Sequence, residues 1–159
     1  RTDNREGGER ADVRSKVQEL RMCSGLEDAV TGEHHEGDHE EALLSINKLD
    51  PKHMAVDKFG LFFDIRFLKF KIYFELNQIE ESIAMIDSFE HFLKKDTKIN
   101  RSVKPSYIGF IKYYKKLIQC RIKEDYSPLG LIREKLLKDK ANEKKWLLKK
   151  AEEMARNKK

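Results

Sequence analysis

From residue 38 onward, apolar side chains return every three or four positions, the spacing of one face of an α-helix, whereas in the first 24 residues they return weakly. That opening stretch supports at most one short helix at about 10 to 22, on Val13, Val17 and Leu20, and a second weak segment follows at 25 to 35. In "DHEEALLSINKL", Ala42, Leu43, Ile46 and Leu49 share a face, and Asp50-Pro51 closes the helix because a residue before proline resists the α conformation. The segment from 55 to 76 is the most aromatic. Phe59, Phe62, Phe63, Phe67, Phe70, Tyr73 and Phe74 cover well over half of its circumference, so it is expected to be a central helix with neighbours on two sides.

Four further helices are predicted downstream. One runs from about 79 to 95 on Ile79, Ile83, Ile86, Phe89 and Leu93, ending in Lys94-Lys95, cations suited to the negative end of its dipole. The next spans about 104 to 123, with Pro105 near its start and Tyr107, Ile111, Tyr114, Ile118 and Ile122 in register. Ser127-Pro128 reads as a cap and first-turn pair, opening a helix to about 138 on Leu129, Ile132, Leu136 and Leu137. The last, about 140 to 157, sets Trp146, Leu147, Ala151 and Met154 on one side and crowds lysines on the other. Strands would require turn signals far more often than three prolines and eight glycines supply, so the fold class is all-α.

Composition narrows this picture. The 159 residues are 39% apolar and 38% charged, enough for one domain with a real core or a short array of repeats. No apolar run approaches the roughly 18 residues of a membrane span, and "RTDNREGGERADVRSK" contains no stretch able to act as a signal peptide. Cys23 and Cys120 lie far apart among ordinary helical residues and read as reduced thiols, which points to a cytoplasmic protein. Charge is uneven: residues 1 to 93 carry 12 Lys and Arg against 20 Asp and Glu (−8), and residues 94 to 159 carry 21 against 8 (+13). Such asymmetry suits an acidic partner, nucleic acid or intramolecular steering.

The chain also resembles itself. "GDHEEALLSINKL" (37 to 49) laid over "NQIEESIAMIDSF" (77 to 89) matches Glu40 with Glu80, Glu41 with Glu81 and Ile46 with Ile86. Gly37 and Asn77 can both adopt a left-handed turn, Ala42 and Ser82 are both small, and Leu43/Ile83 and Leu49/Phe89 are apolar pairs. Each copy reads as a turn followed by a helix whose small residue lets the preceding helix approach. The offset is 40 residues.

Tyr73-x3-Asn77-x-Ile79-Glu80-Glu81-Ser82-Ile83-x2-Ile86 resembles the tetratricopeptide (TPR) pattern, and Gly37-x-His39-Glu40-Glu41-Ala42-Leu43-x2-Ile46 resembles its second half. The likeness covers about 25 to 95 directly and 105 to 138 as a degenerate hairpin with Gly130 in the small-residue role. The chain lacks the family's Trp and Leu-Gly pair, and its spacing is 40 residues. "YIGFIKYYKKLIQ" and "KKWLLKKAEEM" are also similar to the tails of TPR-like proteins of Bacteroidota. The resemblance implies stacked antiparallel hairpins at about 25–50, 55–95 and 104–138, with the helix at about 140–157 as a cap, while the weak patterning of residues 1–24 makes them a weakly structured segment. It further implies a non-enzymatic scaffold for a protein or peptide partner, gripped in a concave groove by Asp64, Phe67, Lys71, Phe74 and Glu75. Those five do not reproduce the Lys/Asn set with which TPR domains clamp a chaperone's C-terminal carboxylate. For Phe67 and Phe74, burial against a neighbouring hairpin is the preferred reading.

Two other chemistries compete. His35-Glu36-Gly37-Asp38-His39 matches the zinc-hydrolase string H-E-x-x-H, which needs both histidines on one face of an unbroken helix, a glutamate base and a third ligand. Gly37 weakens that helix, the acidic flanks solvate it, and a third ligand from Asp57, Asp64 or Glu75 is a guess. Read as a turn, the string puts His35 and His39 on opposite sides of Gly37, so no metal and no cofactor are expected; adventitious binding by His34, His35 and His39 remains open. A nucleic-acid interface would use Lys112, Lys115, Lys116, Arg121 and Lys123 with Lys140, Lys144, Lys145, Lys149 and Lys150, and Tyr113 and Tyr126 exposed for stacking. Lysine dominates over arginine, which gives weak base readout, so this stands as the alternative to the scaffold. No glycine-rich phosphate loop, Cys-x-x-Cys pair or nucleophile-elbow serine occurs. Cys120 reads as a small core residue.

Overall fold

The computed structural model describes residues 15–19, 36–48 and 60–157. Six helices are α1 (Glu36–Asn47), α2 (Gly60–Glu75), α3 (Ile79–Lys95), α4 (Lys104–Lys123), α5 (Leu129–Lys138) and α6 (Lys144–Arg156). Residues 15–19 are also helical, and no strand occurs among the described residues. The chain divides into two compact units between Asn77 and Gln78, a point that falls inside the expected 55–95 hairpin.

In the first unit α1 packs on α2. Ala42 and Ile46 face Ile65, Leu68 and Ile72, stripes spaced as one helical face requires, and Val17, Leu43 and Leu76 complete the cluster. Phe63, Phe67, Phe70, Lys71 and Phe74 are buried as well, so α2 is covered around most of its circumference, as its aromatic content predicts. Each fully buried phenylalanine contributes about 2–3 kcal/mol. Asn77, at φ 53°, takes the left-handed turn after α2. Gly37 does not take the matching one: it lies in the first turn of α1. The first N–H groups of a helix have no intrahelical partner in any case, so a glycine there weakens the helix little.

In the second unit α4 is the hub, touching α3, α5 and α6, while α5 also packs on α6. Its buried arc is accordingly broad, comprising Gly109, Phe110, Ile111, Tyr113, Tyr114, Leu117, Ile118 and Cys120. The single stripe expected on this helix therefore needs correction at two places: the Tyr113 ring is buried rather than available for stacking, and Ile122 is exposed. Pro105 sits in the first turn, as expected. Glu124, at φ 51°, ends the helix in the left-handed conformation, with the Asp125 N–H donating to the Cys120 carbonyl at 3.2 Å.

The inward stripe of α3 is Ser82, Ile86, Phe89 and Leu93, with Ile83 turned outward. Ser82 Oγ and the Tyr114 hydroxyl share a buried hydrogen bond at 3.0 Å. Ala42 and Ser82, the small residues of the two similar segments, thus both pack toward the helix that follows them. The TPR pattern implied the helix before, and the Ala42 cluster also holds Val17 from the helical residues 15–19 that precede α1. Within the units the packed pairs are α1 with α2 in the first, and α3 with α4, α4 with α5, α4 with α6 and α5 with α6 in the second.

Helix α5 buries Leu129, Ile132 and Leu136 and leaves Leu137 exposed. Ser127 provides no side-chain cap; instead its N–H donates to Asp125 Oδ1 at 3.0 Å, and Pro128 occupies the N-cap position. Helix α6 buries Trp146, Leu147, Ala151 and Met154, as the pattern predicts, and stacks Trp146 on Tyr114 with ring centroids 6.2 Å apart. Lys150 joins that inner side, its ammonium drawn out to Glu153 at 2.6 Å, so it does not belong to the basic outer face.

The linker between α5 and α6 is pressed onto α4 at Gly109. A Cβ there would stand 2.0 Å from the Lys140 carbonyl oxygen, and one helical turn earlier the Ser106 carbonyl accepts from the Asn142 N–H at 2.8 Å. Gly130, expected in the small-residue role, has nothing within 4 Å of an added Cβ. Gly109→Ala is therefore expected to lower unfolding free energy by about 1–3 kcal/mol through a forced backbone shift, while Gly130→Ala is neutral or stabilising by up to about 1 kcal/mol; urea denaturation of both variants checks the contrast. A double-mutant cycle of Ser82→Ala and Tyr114→Phe should return a coupling of about 0.5–1.5 kcal/mol.

Candidate functional site

The five residues placed in the concave groove do not form one. Phe67, Lys71 and Phe74 are 2%, 4% and 0% exposed, and Asp64 and Glu75 are half-buried. A helix that is apolar around most of its circumference has no aromatic face to spare for a partner, and Lys71 is enclosed along with its neighbours.

His39 is buried on α1 in line with Ala42 and Ile46, positions three and seven residues on, and so belongs to the inward face. The Glu36 to His39 part of the zinc-like string is helical, against the turn reading. His35, His34, Asp57 and Cys23 lie outside the described residues, and no group of three or more His, Cys, Asp or Glu side chains gathers among those described.

The lysines of the expected basic face separate into distinct settings. Lys112 donates to Asp139 Oδ2 at 2.8 Å, and the Tyr113 hydroxyl donates to the same oxygen. Lys112 and Lys116 lie over the Tyr113 ring at 5.0 and 5.6 Å. Lys115 leans the other way, to Glu90 of α3 at 3.7 Å. Lys144 reaches the Leu137 carbonyl at 3.3 Å, whereas Lys145 and Lys149 stand exposed on α6. Tyr126 is half-buried. The lysines thus serve in part to hold α4 to its neighbours.

Two grooves flank α4. Between α3 and α4 a groove of about 330 Å³ is lined by Glu90, Leu93, Lys94, Lys104, Ile108, Ile111 and Lys112. Leu93 and Ile111 form the floor, Ile108 is 52% exposed at its edge, and three lysines stand on the rim. Lys104 also reaches toward the Asp96 carbonyl at 3.4 Å. Between α4 and α5 a smaller groove, about 230 Å³, brings together Lys116, Lys123 and Lys135 with Cys120, Asp125 and Leu131. Burial pushes the Cys120 thiol up, Asp125 adds to the shift and Lys123 opposes it, so at neutral pH it is a protonated packing group rather than a nucleophile. That agrees with the sequence reading.

No protein-family model, curated protein or solved structure matches the chain. Among the described residues no helix is long and apolar enough to cross a membrane.

The α3–α4 groove escapes sequence reasoning because its residues come from two helices and Ile108 lies off the predicted stripe. The signal present in the sequence is the run Lys104, Ile108, Ile111, Lys115, a second face of α4 at spacings of four, three and four. Beside it, hydrogen bonds from Lys112 and then Tyr113 hold the Asp139 carboxyl below the ordinary carboxylate range. A lowered folded-state value means that the contribution is complete above the unfolded value near pH 4 and is lost as pH falls through the folded one. Asp139→Asn is therefore expected to flatten the acid limb of stability between about pH 5 and pH 2 relative to wild type, as urea midpoints across that range would measure.

Proposed function

We propose that this chain is a non-enzymatic helical scaffold that binds a protein partner, using the groove between α3 and α4 of its second unit. The observation that carries this reading is an exposed aliphatic edge, Ile108, over an apolar floor of Leu93 and Ile111, within a ring of lysines. A contiguous apolar surface rimmed by polar groups is the pattern of an interaction site. His39 favours the same side of the choice, since its inward position on α1 gives it a packing role.

Nucleic-acid binding is the second reading, and the exposure of Lys123, Lys135, Lys145 and Lys149 favours it. Affinity capture from the native host with wild-type chain and Ile108→Asp, each with and without nuclease, separates the two. A scaffold retains its partner after nuclease and loses most of it on Ile108→Asp; material that vanishes with nuclease and ignores Ile108→Asp would transfer the function to nucleic acid.

A further inference from the structure

We infer that the α3–α4 groove receives one amphipathic helix of a protein partner, with aliphatic side chains along its inner face and carboxylates flanking them. This deepens the interaction role proposed above and rests on it. Two packed helices joined by the 96–103 loop leave a channel along their seam, and a third helix can lie there with anchors at positions i, i+3 or i+4, and i+7. The groove offers aliphatic carbon to those anchors chiefly from Ile108 at its edge, with Leu93 and Ile111 as the floor beneath it. Ile83, 41% exposed, lies two turns before Glu90 on the same stripe of α3, beyond the Glu90–Lys115 pair.

Charge selects the flanks. Lys94, Lys104 and Lys112 rim the channel; Glu90 in its lining faces Lys115 and Asp139 is paired with Lys112, so the positive charge offered to an incoming helix comes chiefly from Lys94 and Lys104. An incoming helix bearing Glu or Asp beside its apolar stripe would be steered in and held, while a basic helix would be repelled. A nucleic-acid strand fits less well, because the lining holds no aromatic ring on which a base could stack and its apolar floor offers nothing to a phosphate backbone.

Fluorescence anisotropy with the full chain tests the assignment, using labelled synthetic peptides: an acidic amphipathic helix with leucines at i, i+3 and i+7, a scramble of the same composition, and a version with lysine for every glutamate. Single-stranded RNA of matching charge serves as competitor. The acidic helix is expected to bind about tenfold or more tightly than the scramble and the lysine version, and to lose a similar factor on Ile108→Asp. The double variant Lys94→Glu/Lys104→Glu should reverse the preference between the acidic and basic peptides, with circular dichroism showing both variants folded. Equal binding of the scramble, an unchanged ranking in the double variant, tighter binding of RNA, or no binding of any peptide overturns the inference. If capture from the host still yields a protein lost on Ile108→Asp, the scaffold role stands and only the partner's chemistry is wrong.

Discussion

The second unit depends on an atom that is missing. Without a Cβ at residue 109, the Lys140 carbonyl can rest against the α4 backbone, and the linker after α5 can turn back across the helix that preceded it. Everything on that side follows from the close approach. Asn142 reaches Ser106, Asp139 meets Lys112 and Tyr113, and α6 arrives with Trp146 stacked on Tyr114. Tyr114 in turn meets Ser82, so a single column of contacts runs from α6 through α4 to α3. Glu143, at φ 52°, is held in the left-handed region just before α6, and the surrounding contacts offset the cost of about 1 kcal/mol that such a residue carries.

Helix positions were legible because they follow from local periodicity and from breakers. The bounds of α3 and α4 coincide with the predicted 79–95 and 104–123, and α5 and α6 begin one and four residues later than read. What a helix faces is a different kind of information. Ile83, Ile122 and Leu137 satisfy the 3.6-residue period as well as their buried neighbours do, yet they are exposed, since contact depends on which other helix reaches that level of the stack. Tyr113 fails in the opposite sense: a hub with three neighbours buries a broad arc that takes in Tyr113, leaving the face of Ile108, Lys112, Lys115, Gln119 and Ile122 outside.

The internal similarity carried real information about where helices pack closely. Ala42 and Ser82 do occupy equivalent places, and both permit close packing, but a small residue says only that something approaches and not which helix it is. The site suffered from the same ambiguity. Lysines were readable as charge, whereas their partners Glu90 and Asp139 come from other elements, 25 and 27 residues away from Lys115 and Lys112 along the chain. Gly130 and Gly109 are indistinguishable on paper. Only the path of the α5–α6 linker makes one indispensable and the other incidental.

The column through Tyr114 also has a direction in time. Residues that must meet at the Gly109 notch are separated by 31 positions, and the linker and Trp146 emerge only after α3, α4 and α5 have been made. A nascent chain halted before that point presents the Phe110, Tyr113 and Tyr114 side of α4 to the surrounding solution while its cover is still being synthesised. Helix α6 is therefore the closing element of its own unit, and that unit reaches its final packing only once α6 has been synthesised.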